Sequence, residues 1–235
     1  MISKISIPML AILIAGLAFC NRENENFDPK AKYGQEIRTF ADGREDQLPY
    51  FQGKDFQPIW SKATEVPEGA IRIPDFRFTD QHSRAFGMKE LKGKVYLANF
   101  FFTRCHGICP MTMPHMRKIN TKFAGNPDFR MVSYSITPDL DTPAVLTDYA
   151  KRMGITHPDW HLLTGDKQEI YGLARHSYGA DTDTKTTQGD SKFLHSEQAF
   201  LVDADGYLRG IYNVRFEKDL GTVESDLSKL LASLR

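Results

Sequence analysis

Two cysteines in the stretch FFFTRCHGICPMTMPHM, residues 100–116, are the side chains best suited to chemistry. Cys105 and Cys109 stand four residues apart, after a run of aromatic residues and before a segment with helical periodicity. In a helix, residues i and i+4 lie one above the other with Cβ atoms about 5–6 Å apart. A disulfide needs Cβ atoms about 3.8 Å apart, whereas two thiolates that share one metal ion need no such closeness. The spacing therefore favours a metal site modestly and leaves a redox disulfide open.

The charge expected around the thiol pair favours thiolates. Unpaired N–H groups and the dipole at a helix start stabilise negative charge, and Arg104 adds a nearby positive charge. We therefore expect at least one cysteine to be more acidic than a free thiol. Sulfur ligands select Cu(I), and one added imidazole lets such a site hold Cu(II) as well, so a third ligand is required.

The pair is expected at a junction between a strand and a helix. Residues 94–103, KVYLANFFFT, are almost continuously apolar, which is typical of a central strand buried on both faces. The following PMTMPHMRKINTKFA has apolar residues at helical spacing and accepts Pro110 in its first turn, and residues 129–137 return to a strand. A strand–helix–strand unit would therefore hold both cysteines at the start of its helix.

Helices and strands continue to alternate toward the C-terminus. We predict helices over residues 142–154 and 166–179 with a short strand between them, then a hairpin at an Asp-Gly turn and an amphipathic closing helix. The polar connection over residues 179–194 is longer than most and leads to His195. This order predicts an α/β fold with a central mixed sheet flanked by helices.

Length and charge limit the class of protein. The 235 residues carry 30 basic and 30 acidic side chains, so no net field draws the chain onto nucleic acid, and we expect no nucleic-acid partner. We divide the chain into an export segment over residues 1–20, a polar tether over 21–47 and one folded domain over 48–235. Within that domain, residues 48–60 are expected to form an ordered lead-in.

The export segment ends in a cysteine. MISKISIPMLAILIAGLAFC has a short start that carries Lys4, an apolar run too short to cross a bilayer, and then Cys20. This cysteine resembles that of a bacterial lipobox, which implies that Cys20 becomes a lipidated N-terminus. The protein is then expected to be a membrane-anchored lipoprotein of the bacterial cell envelope that faces the periplasm. An uncleaved anchor and ordinary secretion are the alternatives. With Cys20 capped, only Cys105 and Cys109 remain as thiols, in a compartment that permits disulfides.

Four segments carry a resemblance to a known family, namely FFFTRCHGICP, YSITPDLDTP, WHLLTGDK and LHSEQAFLVDADG. Together they resemble the Sco/SenC family of copper-binding, thioredoxin-like assembly factors for cytochrome c oxidase, from residue 48 to the C-terminus. The resemblance implies a thioredoxin-like fold with an N-terminal extension and a C-terminal β-hairpin plus helix. It also implies that Cys105, Cys109 and His195 bind copper as Cu(I) or Cu(II).

The function implied by this resemblance is that of a copper chaperone. The protein would bind one copper ion and pass it to the dinuclear copper (CuA) site of cytochrome c oxidase subunit II, or to another cuproprotein, by exchange of ligands. The alternative is a thiol:disulfide oxidoreductase that keeps the acceptor cysteines reduced, in which one cysteine attacks and the other resolves. A zinc site with a fourth donor is a third alternative. Beyond oxidoreductase activity, we do not expect an enzyme in the usual sense.

Other side chains near the pair are weaker candidates. Where the family usually has proline after the first cysteine this chain has His106, which is a secondary ligand candidate but is expected to be an exposed loop residue. Asp139 and Asp141, in the segment SITPDLD, are candidates for a nearby carboxylate. Methionines at helical spacing usually fill gaps in a core, and we expect this of Met111, Met113 and Met116.

Overall fold

The computed structural model describes residues 47–61, 65–180 and 197–234. The predicted export segment and almost all of the predicted tether, together with Cys20 and His195, lie outside these residues. Within the described ranges, no helix is long and apolar enough to cross a membrane.

The part of the chain that the structure describes contains nine strands in two sheets. The strands are β1 Tyr50–Gln52, β2 Gln57–Ile59, β3 Arg77–Asp80, β4 Ala85–Gly87, β5 Val95–Phe101, β6 Phe129–Ser135, β7 Trp160–Thr164, β8 Gln198–Val202 and β9 Leu208–Asn213. A small antiparallel sheet pairs β1 with β2, and a seven-stranded mixed sheet has the order β4-β3-β7-β6-β5-β8-β9. The helices are α1 Met88–Leu91, α2 Cys109–Phe123, α3 Pro143–Met153, α4 Lys167–Leu173 and α5 Leu220–Ala232.

Strand β5 lies in the interior of the large sheet. All seven of its residues are buried, as its continuous apolar sequence predicts. It pairs in parallel with β6 and antiparallel with β8, which makes the sheet mixed. The α/β prediction and the predicted central strand are therefore confirmed.

Two apolar cores cover the two faces of this sheet. Along β5, Val95, Leu97 and Phe101 face the core that α2, α3 and α5 cover. The intervening Tyr96, Ala98 and Phe100 face the second core, which α4 covers. Because side chains alternate along a strand, this single segment contributes to both cores. Cys109 belongs to the first core, and Cys105 packs against it.

Local signals in the sequence set the ends of the helices that flank the site. Thr142 caps α3 by accepting a hydrogen bond from the Val145 N–H at 3.5 Å, and Gly154 ends the helix with φ of 66°. Helix α4 continues into a π-helical segment, Ala174–Tyr178, which ends at Gly179 with φ of 63°. These bounds agree with the predicted helices.

The lead-in is ordered, as predicted, and it forms the hairpin of β1 and β2. Arg209 of β9 stacks its guanidinium 3.8 Å from the centroid of the Tyr50 ring. The same guanidinium donates hydrogen bonds to the carbonyls of Leu48 and Pro49 at 2.7 and 3.0 Å. These contacts attach the lead-in to the edge strand of the large sheet.

Candidate metal centre

Three segments of the chain meet at one edge of the large sheet. The parallel strands β5 and β6 end together there, with Phe101 paired with Ser135. Strand β8 runs antiparallel to β5, so it begins at this edge, with Ala199 opposite Asn99. The edge therefore holds the loop that carries the cysteines, the segment after β6 and the start of β8.

The two cysteines are free thiols on either side of the start of α2. Cys105 is half-buried in the loop after β5, and Cys109 is the first residue of the helix and is 3% exposed. The backbone N–H of Cys109 donates a hydrogen bond to the Sγ of Cys105 at 3.4 Å. Because α2 begins only at Cys109, the expected helical i, i+4 spacing does not apply, and the geometry of the loop sets the separation of the sulfurs.

The Cys109 thiol is less acidic than the sequence led us to expect for a cysteine at a helix start. Burial raises the pKa of Cys109 to about 12, a backbone hydrogen bond at Phe102 opposes this rise, and the neighbouring Cys105 adds to it. The cost of removing the thiolate from water thus outweighs the stabilisation that the helix N-terminus gives it. Cys109 is a protonated thiol at neutral pH and must lose its proton to a metal or a base before it can act.

Asp141 holds the start of the thiol loop in place. Its carboxylate is fully buried and accepts the N–H and hydroxyl of Thr103 at 3.2 and 2.5 Å. It also accepts the hydroxyls of Ser135 and Thr137 at 2.6 and 3.0 Å. Since Thr103 precedes Cys105 by two residues, the carboxylate predicted near the site positions the chain that carries a thiol.

The remaining candidates occupy different surroundings. Asp139 is exposed and forms an ion pair with Lys167 at 3.7 Å. His106 is an exposed loop residue, as expected. Among residues 47–61, 65–180 and 197–234, no group of three or more His, Cys, Asp or Glu side chains could hold a metal ion. His195, the predicted third ligand, lies outside the described residues.

The three methionines of α2 differ in burial. Met113 and Met116 are almost fully buried, as predicted for residues that fill the core. Met111 is 43% exposed, so the core prediction is wrong for this residue. Helical spacing alone did not distinguish Met111, because this first-turn residue lies on the solvent side of α2.

Sequence reasoning missed a chain of buried polar residues that ties the sheet to α2. Ser133 donates to the side-chain carbonyl of Asn99 at 2.5 Å and accepts from the Trp160 indole N–H at 2.9 Å. Asn99 donates to the sulfur of Met113 at 3.7 Å. The available signal was the polar Asn99 within the apolar strand β5. Its direct cross-strand partner Ser133 is less conspicuous, because β6 also contains Arg130 and Ser135.

Together, the mixed sheet, the flanking helices and a dithiol between β5 and α2 define a thioredoxin-like domain with a CxxxC site. The profile of the SCO1/SenC family matches residues 64–232, which is more than half of the sequence. The chain therefore belongs to the SCO1/SenC family.

Similar proteins come from several bacteria. The SCO1 protein homolog of Bacillus subtilis is 32% identical over 159 residues, which cover 65% of this chain and 81% of that protein. A SCO1/SenC family lipoprotein from Bacillus anthracis has a TM-score of 0.59 at 27% identity and covers 68% of this chain and 95% of its own. Copper-bound ScoI of Bradyrhizobium japonicum has a TM-score of 0.54 at 27% identity, and the match covers 68% of this chain and 99% of the ScoI chain.

Proposed function

We propose that this protein binds one copper ion through Cys105, Cys109 and His195 and delivers it to the CuA site of cytochrome c oxidase subunit II or to another cuproprotein. The observation that carries the proposal is the hydrogen bond from the Cys109 N–H to the Cys105 sulfur at 3.4 Å, which brings two reduced cysteines together. Two neighbouring sulfur donors suit a soft ion such as Cu(I).

The topology of the sheet supports His195 as the third ligand. Glu197 is the first described residue after the gap, and it follows His195 by two positions. Its carbonyl accepts a hydrogen bond from the Val214 N–H at 2.9 Å, just before β8 begins at the thiol edge. The described chain that continues from His195 is thus fixed at the edge where the cysteines lie.

The relatives also support copper as the cargo. A Bradyrhizobium japonicum ScoI structure contains copper. BsSco, which is 31% identical with a TM-score of 0.58, is described as a member of the Sco family of cytochrome c oxidase assembly proteins. These properties of the relatives make a cuproprotein of the respiratory chain the acceptor that we propose.

Transfer of the ion would proceed by exchange of ligands. Copper binding displaces the proton of Cys109, because burial keeps that thiol protonated at neutral pH. A thiol or imidazole of the acceptor then replaces one donor at a time, and the cysteine regains a proton as the ion leaves. Cys105, which is the more exposed thiol, is the donor that an acceptor can approach first.

We further propose that lipid on Cys20 anchors the domain to a bacterial membrane on its periplasmic side. The support is the export segment that ends in Cys20, together with a solved relative from Bacillus anthracis that is described as a lipoprotein. Metabolic labelling with a fatty acid tests this anchor. Label on the wild-type protein that is lost in Cys20→Ser is expected, and equal labelling of both would contradict it.

A copper titration of the reduced domain without residues 1–20 tests the chaperone proposal. We expect one Cu(II) per chain with a sulfur-to-copper charge-transfer spectrum, which Cys105→Ser, Cys109→Ser and His195→Ala each abolish or strongly weaken. Asp139→Asn is the matched control, because Asp139 is exposed and paired with Lys167. Unchanged copper affinity in His195→Ala would remove that residue from the ligand set.

One observation favours the second candidate function, thiol:disulfide exchange. The two cysteines are unequal, since Cys105 is more exposed and burial raises the pKa of Cys109. This difference suits a reaction in which Cys105 attacks the partner disulfide and Cys109 resolves the mixed disulfide. The test is whether His195→Ala reduces a disulfide in an oxidase-derived peptide as fast as the wild type does. That result, together with no tight copper binding by the wild type, would favour this function over copper delivery.

A further inference from the structure

Met111 and His115 lie one turn apart on the same face of α2, well inside the helix. Side chains at i and i+4 are neighbours with Cβ atoms about 5–6 Å apart. Because helical side chains point toward the N-terminus, the His115 ring lies over the turn that carries Met111. Met111 is 43% exposed, whereas Met113 and Met116 are almost fully buried in the core. A thioether and an imidazole therefore meet near the surface.

The tertiary structure determines which nitrogen of His115 is available to a ligand. Its Nδ1 lies 2.8 Å from the carbonyl oxygen of Val214, the residue directly after β9. Because a carbonyl only accepts, Nδ1 carries the proton of this hydrogen bond, and in the neutral imidazole Nε2 keeps its lone pair. Histidines that bind metals usually donate their other N–H in this way, which fixes the orientation of the ring. His115 thus has the tautomer of a ligand that binds through Nε2.

The segment after β9 is held against this face of α2. The Val214 N–H donates to the Glu197 carbonyl at 2.9 Å, and Lys118, one turn beyond His115, donates to Glu217. Phe216 lies between Val214 and Glu217 in the chain and is 48% exposed. Its apolar ring is therefore held close to His115.

The charges on this segment favour a singly charged ion. Arg215 and Lys218 place their cationic groups 5.4 and 5.8 Å from the centroid of the Phe216 ring. Because Coulomb repulsion is proportional to charge, these groups oppose a divalent ion more strongly than a monovalent one. A thioether is a soft ligand that selects Cu(I), and imidazole also suits copper. The charges and the donors thus favour the same ion.

We propose that Met111 and His115 form a second site for Cu(I), with the Met111 Sδ and the His115 Nε2 as its ligands. The ion exchanges the ligands that it carried in solution for these two donors. Neither residue releases a proton, and no electron is transferred. The site is distinct from Cys105 and Cys109, because Cys109 lies in the core and Met111 on the solvent side of α2. Binding of Cu(I) here does not rest on the proposed function.

A titration of the full-length protein with Cu(I), in reducing solution without oxygen, tests the site by NMR. The methionine methyl groups carry ¹³C and the histidine rings carry ¹⁵N. Once the thiol pair holds the first equivalent, the second should shift the Met111 methyl signal and the His115 Nε2 signal. The signals of the buried Met113 and Met116 are the internal controls and should not respond to the second equivalent. Zn(II) in place of this second equivalent should leave Met111 unshifted.

Competition with a Cu(I) chelator measures the affinity of the site. It is measured for the second equivalent in the otherwise wild-type chain and for the first in a chain with Cys105→Ser and Cys109→Ser. Met111→Leu and His115→Asn should each weaken binding at least about tenfold. Asparagine retains an N–H donor for the Val214 carbonyl, so His115→Asn removes the ligand but not that contact. His82→Asn, at an exposed turn, is the control and should leave the affinity unchanged.

The outcomes separate this site from the thiol centre. An unshifted Met111 methyl signal, or unchanged affinity in Met111→Leu and His115→Asn, would overturn the proposal. Weaker binding of the first equivalent by the same two variants in the chain with both cysteines would also overturn it, because Met111 and His115 would then belong to the thiol site. If the thiol pair binds no copper, the proposed function fails, and the first equivalent should shift Met111.

Discussion

Thr103 and Asp141 are joined by two hydrogen bonds across 38 residues of sequence. The Thr103 N–H reaches Oδ2 of the carboxylate at 3.2 Å, and the Thr103 hydroxyl reaches Oδ1 at 2.5 Å. This contact connects the first residues of the thiol loop to the segment after β6. A buried carboxylate therefore contributes to the position of the loop that carries Cys105.

We expect Asp141→Asn to weaken both the fold and the metal site. The amide group would place N–H donors against hydroxyls that now donate to the carboxylate, so the unfolding free energy should fall by about 2 kcal/mol or more. Release of Thr103 should lower copper affinity by roughly tenfold. Urea unfolding and a copper competition titration measure the two effects.

Asp139→Asn is the control for this prediction. Asp139 lies two residues earlier on the same segment, but it is exposed and contacts Lys167 at 3.7 Å. We expect a change in unfolding free energy within about 0.5 kcal/mol and no change in copper affinity. Equal effects of the two substitutions would contradict a specific role for Asp141.

Copper affinity should increase with pH across the neutral range. Burial raises the pKa of Cys109 to about 12, so this thiol is protonated below that value and copper must displace the proton. Each proton released raises the apparent affinity by up to about tenfold per pH unit. Competition titrations at several pH values measure the slope, and Cys109→Ser should reduce it. An affinity that does not vary with pH in the wild type would contradict the prediction.

The two thiols should differ in reactivity in the native, copper-free protein. Cys109 is 3% exposed with a raised pKa, whereas Cys105 is half-buried in a loop. Because alkylation needs an accessible thiolate, Cys105 should react at least about tenfold faster. Mass spectrometry of peptides after brief treatment with iodoacetamide gives the order of modification. In denaturant the alkylation rates of the two cysteines should converge. Faster alkylation of Cys109 than of Cys105 in the native protein would contradict the prediction.

The protein should lose stability as pH falls below about 6.5, in part through His161. Burial lowers the pKa of His161, although Asp80 at 3.4 Å acts in the opposite direction. A histidine with a lowered folded pKa binds fewer protons than in the unfolded chain, so stability is complete above the unfolded pKa and is lost below it. Urea unfolding at several pH values should show a smaller acid loss for His161→Gln than for the exposed control His82→Gln. Equal acid losses would exclude His161 as the source.

Asp80 provides a separate acid-sensitive contribution to stability. Burial alone would raise its pKa, but hydrogen bonds from Arg84 and from the His82 N–H outweigh this and lower the pKa below 3.8. The stability it contributes is therefore present above 3.8 and is lost only at lower pH. Its pH range lies below that of His161, so the two contributions can be distinguished in one series of unfolding curves.

Local patterns in the sequence predicted the elements around the site well. The apolar run of β5, Pro110 in the first turn of α2, and the Thr142 and Gly154 ends of α3 all lie where expected. These signals succeed because strand burial, helix capping and the left-handed helix end depend on residues adjacent in sequence. The same signals cannot locate the first helical residue to within one turn, so the placement of Cys105 in a loop was not foreseen.

The sequence by itself determined the pair of cysteines, the order of strands and helices, and membership of a family through a few short motifs. Only the tertiary structure decided which groups surround the thiols. It buried Cys109, which raises the pKa of that thiol despite its place at a helix start, and it joined Asp141 to Thr103 by hydrogen bonds. The physical reason is that pKa values and hydrogen bonds depend on contacts between segments far apart in the chain, and packing alone establishes those contacts.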